Sequence, residues 1–404
     1  LSPRASWAEY SELAVLFFLQ AMAMGMVLVP LSRILGAHGL AKLSPYAYAT
    51  FALASFVSPL VFGAMADRHA SPVKVLRGLS LASAATVALA CWSIGRGWPA
   101  GAVLALIQLY AITFVPTTSI ASTIVFSRLR DSQREFGPIR AVATFGWMCG
   151  CWIISGFNLD GSPATGYAAA LAWLALAAFT FLLPVVPPLA SGPASFRERM
   201  GWDALALLKN HDHRMVFLTA ALFSIPIAAF YPFTPPQLQQ LGFHRTSAWM
   251  TLGQVTEIIA MFSLAGLFLR WRLKWIFAAG LLFGLLRYAF CALNQKPWLL
   301  LGVSLHGAAY TLFFITAQIY LNERIETAWR ARAQALMSLM TGGVGSLIGY
   351  IGTGLWFQAC AEPGGPRWSL FWGVLAGSVG VVLIFFLAAY HGQGVGFRRG
   401  PVSK

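Results

Sequence analysis

Charge is scarce in this sequence. Only 10% of its 404 residues are Asp, Glu, Lys or Arg, whereas a soluble chain has roughly a quarter of its residues charged. With 58% hydrophobic residues and a mean hydropathy of +0.68, too little polar surface exists to cover water-soluble domains. The solvent of this chain is therefore mostly lipid, and its apolar stretches must satisfy their own backbone hydrogen bonds as helices of about 20 residues. Acids are scarcer still, 13 against 28 basic residues for a net charge of +15. Such an excess could suggest a polyanionic partner, but the basic residues form no face or arm. They punctuate the chain between apolar runs, so the excess reads as membrane topology and nucleic-acid binding is excluded. Cysteine is sparse as well. Cys91, Cys149, Cys151 and Cys291 lie within apolar segments and Cys360 at the end of one; neither a disulfide framework nor a metal-ligand spacing appears, so they read as small packing residues. No metal and no cofactor is expected.

What the chain does contain is a regular series of apolar runs. Breaks at polar, Pro or Gly residues place spans at 11–36, 44–66, 73–95, 99–127, 137–159 and 165–187, then at 214–241, 247–269, 273–294, 297–322, 329–358 and 367–390. The first run is too long for a cleaved leader and has Glu9 and Glu12 at its start, so it is expected to stay as a helix. The resulting expectation is an all-α integral membrane protein of twelve transmembrane helices: an N-terminal six-helix half (1–187), a cytoplasmic linker (188–213), a C-terminal six-helix half (214–391) and a cytoplasmic tail (392–404). With the N-terminus inside, 20 of the 28 basic residues fall on the cytoplasmic side and only Arg33, Lys42, Arg96, Arg245, Lys296 and Arg367 outside, which is the asymmetry of the positive-inside rule. Two such halves around a mid-membrane cavity are the plan of alternating-access transporters. Glycines four apart, Gly146 with Gly150, Gly280 with Gly284, Gly345 with Gly349 and Gly373 with Gly377, would let helices approach closely.

Few polar groups interrupt the spans. After the second span the chain reads Gly63-Ala-Met-Ala-Asp67-Arg68, with Lys74 and Arg77 beyond; Gly63 permits close helix contact, and Asp67 with Arg68 can meet partners across a closing interface, a gating arrangement. The stretch resembles the signature of the major facilitator superfamily, although Ala70-Ser71-Pro72 stands where a further Gly is expected. The only acid well inside a span is Glu257, about 15 Å deep at about 1.5 Å per residue, with Gln254 on the same face. A carboxylate at that depth either exchanges protons in a watery cavity or stitches helices as a hydrogen-bonded group. In span five Arg140, Thr144 and Trp147 recur at helical spacing and suit a flat polar ligand, unless Arg140 snorkels to lipid headgroups. In span ten His306, Tyr310 and Gln318 form a stripe with Thr311 beside it; a lone His there is commonly a satisfied structural group. Arg287 reads as a snorkelling or helix-pairing residue and Gln20 as a cavity-facing amide.

Several segments together resemble the nucleoside–proton symporter family of the major facilitator superfamily: Phe18-Leu19-Gln20, Ala66-Asp67-Arg68, Pro116-Thr117, Pro138-Ile139-Arg140 with Thr144 and Gly146, Gln254-Val-Thr-Glu257, Leu286-Arg287 with Phe290, and Arg330-Ala-Arg-Ala-Gln334 with Met340-Thr341-x-Gly343-x-Gly345. The resemblance implies a nucleoside site lined by Arg140, Thr144, Trp147, Gln254, Glu257, His306 and Tyr310. Span seven departs from the family, with Ala228 and Tyr231 where an amide pair is expected, and the family's acid in span ten is Thr311 here. Tyr231 joins the candidates as a further stacking ring. The expected function is proton-coupled nucleoside import across a bacterial cytoplasmic membrane by a monomer, with Glu257 exchanging the proton, both termini cytoplasmic, and the proton gradient rather than a cofactor as the energy source. The same fold carrying a sugar or another polar metabolite is the alternative. An intramembrane enzyme is disfavoured because Asp67, Asp131, Glu135, Glu323 and Glu326 form no acid constellation.

Overall fold

The computed structural model describes residues 7–58, 71–129, 132–184 and 202–392. Nearly all regular structure among them is helical. The first half contains α1 (Trp7–Leu28), α2 (Leu31–Ala37), α3 (Ser44–Ser58), α4 (Pro72–Gly95), α5 (Ala100–Arg128), α6 (Ser132–Gly156) and α7 (Ala164–Phe179). The second contains α8 (His211–Ile227), α9 (Phe230–Gln240), α10 (Thr246–Met250), α11 (Leu252–Arg270), α12 (Leu273–Ala292), α13 (Lys296–Tyr310), α14 (Thr316–Arg324), α15 (Thr327–Ser338), α16 (Ser346–Ala359) and α17 (Trp368–Ala389). Each of the twelve expected spans holds helix, and among the described residues nine helices are long and apolar enough to cross a membrane. Gly63, Asp67 and Arg68 lie outside the described residues. So does most of the 188–213 linker, whose described end is a 3-10 turn, Trp202–Lys209, running into α8.

Buried apolar side chains gather into two large clusters. One is drawn from residues 13–183 and the other from residues 204–390, joined by Val29 and Cys151. Within the first, α1 packs on α6 and α4 on α5 and α7; within the second, α12 packs on α13 and α17, and α11 on α13. Three of the expected spans are broken: the eighth at Thr251, between α10 and α11, and the first and seventh at matching places. The first divides into α1 and α2 at Val29-Pro30, the seventh into α8 and α9 at Ala228-Ala229. Backbone groups released by such breaks must be paired again inside a membrane. Pro235 has no N–H to give the carbonyl of Tyr231 one turn earlier, and that carbonyl instead accepts from Ser32 Oγ of α2 at 3.1 Å and Tyr48 Oη of α3 at 3.5 Å. Tyr48 also donates to the Leu28 carbonyl at 2.6 Å, beside the first break. The breaks thus supply hydrogen bonds between the halves.

Glycine sets the closest contacts. A Cβ on Gly146 would stand 2.3 Å from the Phe18 carbonyl oxygen and one on Gly150 2.5 Å from that of Met22, so α1 and α6 touch backbone to backbone. Gly307 is tighter: its Cβ would lie 2.0 Å from the Gly253 oxygen and 2.3 Å from the Glu257 nitrogen. Gly280 and Gly284 meet Phe313 and Phe223, and Gly345 and Gly349 meet α8. The pair Gly373 and Gly377 behaves otherwise, facing open space where a Cβ would meet nothing within 4 Å. The spacing of two glycines permits a close helix contact without supplying a neighbour. Gly307→Val is expected to destabilise the protein by about 3 kcal/mol or more through overpacking, read as a lower melting temperature and loss of a monodisperse elution peak. Gly377→Val should leave both unchanged.

Candidate functional site

Where the halves face each other they enclose a cavity of about 330 Å³. It is lined by Phe17, Gln20 and Met24 of α1, Thr118 and Ser122 of α5, Arg140, Thr144 and Trp147 of α6, Tyr231 of α9, Gln254 and Glu257 of α11, His306 and Tyr310 of α13, and Ser346 and Tyr350 of α16. All eight residues singled out from the sequence as ligand-facing are brought to this one space. Arg140 lines it from the N-terminal part of α6. Gln20 lines it as well, buried, with its amide nitrogen donating to Thr118 Oγ1 at 3.0 Å and Thr117 Oγ1 at 3.3 Å beyond the Pro116 interruption of α5.

The cavity has opposite charges on opposite halves. Arg140 from α6 and Glu257 from α11 interact electrostatically across it, and Tyr231 and Tyr310 lie within the field of the same carboxylate. Glu257 owes its position to Gly307, which lets α11 lie directly on α13, and to Thr256, whose hydroxyl donates across to the Ser304 carbonyl. Aromatic rings make up much of the remaining wall: Trp147 and Tyr231 approach to 6.1 Å between ring centres from the two halves. The indole nitrogen of Trp147 is buried without a partner among the described residues.

Behind the wall stands a buried cation. Arg287 is 1% exposed, so it does not snorkel; it pairs helices instead. Its guanidinium lies over the rings of Tyr288 and Phe230, at 4.3 and 4.7 Å from their centres. One amino group donates to Tyr288 Oη at 2.8 Å, and the other to His306 Nδ1. Tyr288 donates its own hydroxyl to the Pro226 carbonyl, just before the break of span seven. An arginine has no acceptor to offer, so Nδ1 of His306 must carry the lone pair, and its Nε2 carries the N–H. The ring is further fixed by stacking on Phe230 at 3.9 Å.

The stripe drawn through His306 and Tyr310 to Gln318 ends at Tyr310. A π turn, Thr311–Ile315, intervenes; it adds a residue to the turn and shifts the helical phase by about 100°, leaving Gln318 exposed with its carbonyl accepting from Gln334 at 2.9 Å. Thr311 is buried outside the cavity, its hydroxyl without a partner among the described residues. A second π turn, Leu339–Gly345, delivers Ser346 and Tyr350 to the wall. Those two, with Thr118 and Ser122, were missed in the sequence, although each pair shows the four-residue spacing of one helix face. His211, Asp212 and His391 come together at the surface. There His211 Nε2 meets the Ala389 carbonyl at 2.7 Å, a tie between α17 and α8.

The profile of the family described as nucleoside H+ symporter matches residues 9–393. The chain belongs to the nucleoside–H+ symporter family. YegT of Escherichia coli is 30% identical over 94% of this chain and 93% of its own length. Nucleoside permease NupG of the same organism is 24% identical over 85% of this chain and 86% of its own, and xanthosine permease 26% over 68% and 71%. The crystal structure of nucleoside transporter NupG superposes with a TM-score of 0.82 at 23% identity, covering 95% of this chain and 99% of that one. The fold is thus that of these membrane transporters. The chain is a multi-pass member of a transporter family, and the intramembrane enzyme is set aside.

Arg287 has no carboxylate partner among the described residues, and a buried cation without one costs stability. Arg287→Met is therefore expected to leave the melting temperature unchanged or raise it, while ligand binding in the cavity weakens about five- to tenfold as His306 loses its fixed donor orientation. Thermal unfolding and binding titration on the same preparation check this; a fall in both would make Arg287 a packing residue only.

Proposed function

We propose that this protein is a proton-coupled symporter that imports nucleosides across the bacterial cytoplasmic membrane. The observation that carries the reading is the cavity itself: Arg140 and Glu257 face each other from different halves, between aromatic rings and hydrogen-bonding side chains, at the meeting of two helical cores. Rings such as Trp147, Tyr231 and Tyr310 suit the faces of a nucleobase, while Gln254, Thr144, Gln20 and the His306 Nε2–H suit polar groups of base and ribose. The volume lies at the small end of the range of about 300–1,000 Å³ for ligand sites, appropriate to a compact solute.

Glu257 supplies the coupling. Ionised, it is drawn to Arg140 and holds the halves together across the cavity; protonated, it releases Arg140 to the cargo. A carboxylate in this setting favours whichever charge state its surroundings can neutralise, so loading of proton and cargo together favours passage of the cavity from one face to the other. The Lys and Arg distribution supports a cytoplasmic position for both termini, and with it an outer position for the α6–α7 connection. Nothing beyond the proton gradient is needed as a driving agent, and a single chain encloses the whole cavity.

Uptake of radiolabelled uridine or adenosine into proteoliposomes is expected to require an inward proton gradient. Glu257→Gln should reduce gradient-driven accumulation at least about tenfold, the loss of one charge-assisted interaction, while retaining exchange of internal for external nucleoside. Accumulation independent of the gradient would overturn the coupling, and sugar uptake without competition by nucleosides would overturn the cargo.

A further inference from the structure

Asp160 lies in the connection between α6 and α7 and is 3% exposed. Its carboxylate serves the other half. Oδ1 accepts from the Ser247 backbone N–H at 2.6 Å, from Thr246 Oγ1 at 3.2 Å and from Ser155 Oγ at 3.1 Å. Ser155 Oγ in turn accepts from the Ala248 backbone N–H at 2.9 Å. One turn further along, Trp152 Nε1 of α6 donates to Thr251 Oγ1 at 3.1 Å. Side chains of the first half therefore hold the whole opening turn of α10, which leads through Thr251 into α11, where Gln254 and Glu257 stand.

Arg33 of α2 completes the cluster, its positive charge acting on Asp160. The ties at Ser32, Tyr48 and Tyr231 also join the halves, but they are neutral, whereas Asp160 brings an acceptor of full charge to free helix N–H groups. The cluster is also incompletely paired: Asp160 Oδ2, Ser247 Oγ and Arg33 Nε are buried with no partner among the described residues. Such groups regain hydration when the halves part, so the clasp is strong in its contacts yet cheap to release.

We propose that Asp160 is a positioning residue for transport: it clasps the α10–α11 unit to the first half while the cavity is shut on this side, and its release sets how readily that side opens and where Glu257 stands when it does. The proposal rests on the alternating-access reading given above, and its test separates the two. Spin labels at the exposed positions Phe157 and His244, on opposite halves, report their separation by pulsed electron resonance in the full-length protein reconstituted in lipid.

In the wild type the short distance is expected to dominate, with a longer one appearing on addition of nucleoside or a change of pH. Asp160→Ala should raise the long-distance population about tenfold without ligand, as expected for the loss of a charge-assisted bond; Asp160→Asn, which keeps an acceptor oxygen but no charge, should fall between. If Asp160→Ala fails to fold, Asp160→Asn together with Ser155→Ala, which frees only the Ala248 N–H, carries the measurement. A ligand-responsive distance that these substitutions leave unchanged in folded protein overturns the clasp and makes Asp160 a structural cap. A distance that responds to neither ligand nor pH in any variant overturns the alternating-access reading and the clasp with it.

Discussion

Lipid offers no hydrogen bonds, and the architecture of this protein follows from how its interrupted helices answer that constraint. An unbroken helix pairs its own backbone and needs nothing from its neighbours. The first and seventh spans are broken, by Val29-Pro30 and by Ala228-Ala229 with Pro235 beyond, and their freed groups must look elsewhere. The Tyr231 carbonyl finds Ser32 and Tyr48. The opening N–H groups of α10 find Asp160 and Ser155. In each case the partner belongs to the opposite half. Several of the contacts that join the halves on this side are therefore made by otherwise unpaired backbone, in bonds that can be exchanged for water when the halves separate.

The same economy governs charge. Glu257 and Arg140 are tolerable within apolar spans because they line one cavity with opposite signs on opposite walls. Arg287 is tolerated without a carboxylate partner among the described residues because two aromatic faces, a phenol and an imidazole share its charge. This arrangement fixes the tautomer of His306, so the stability given up to bury a cation is returned as a defined donor at the cavity wall.

Much of this was legible in the sequence because helical periodicity is local. Arg140, Thr144 and Trp147 share a face by counting alone, and Glu257 stands out because acids are so few. Counting fails where the helix itself departs from 3.6 residues per turn. The π turn after Tyr310 moved Gln318 off the stripe, and a second one brought Ser346 and Tyr350 onto the wall. Counting also fails where the partner is remote. Gly373 and Gly377 have the spacing of a packing pair and no neighbour; Gly307, with no such pairing, has a contact as tight as any among the described glycines. Nothing in the short connection holding Asp160 hints that its carboxylate caps a helix far along the chain.

The sequence by itself determined the solvent, the helical class, the positions of the spans and the family, because each depends on composition or on residues within a few turns of one another. It also named many of the side chains that line the cavity, since any polar group stranded in an apolar span needs somewhere to go. Only the tertiary structure decided which groups meet: Arg287 with His306, Asp160 with the start of α10, Glu257 against the backbone at Gly307. Those meetings are set by the approach of helices distant in sequence, where a few tenths of an ångström decide whether a bond forms, and no local pattern encodes them.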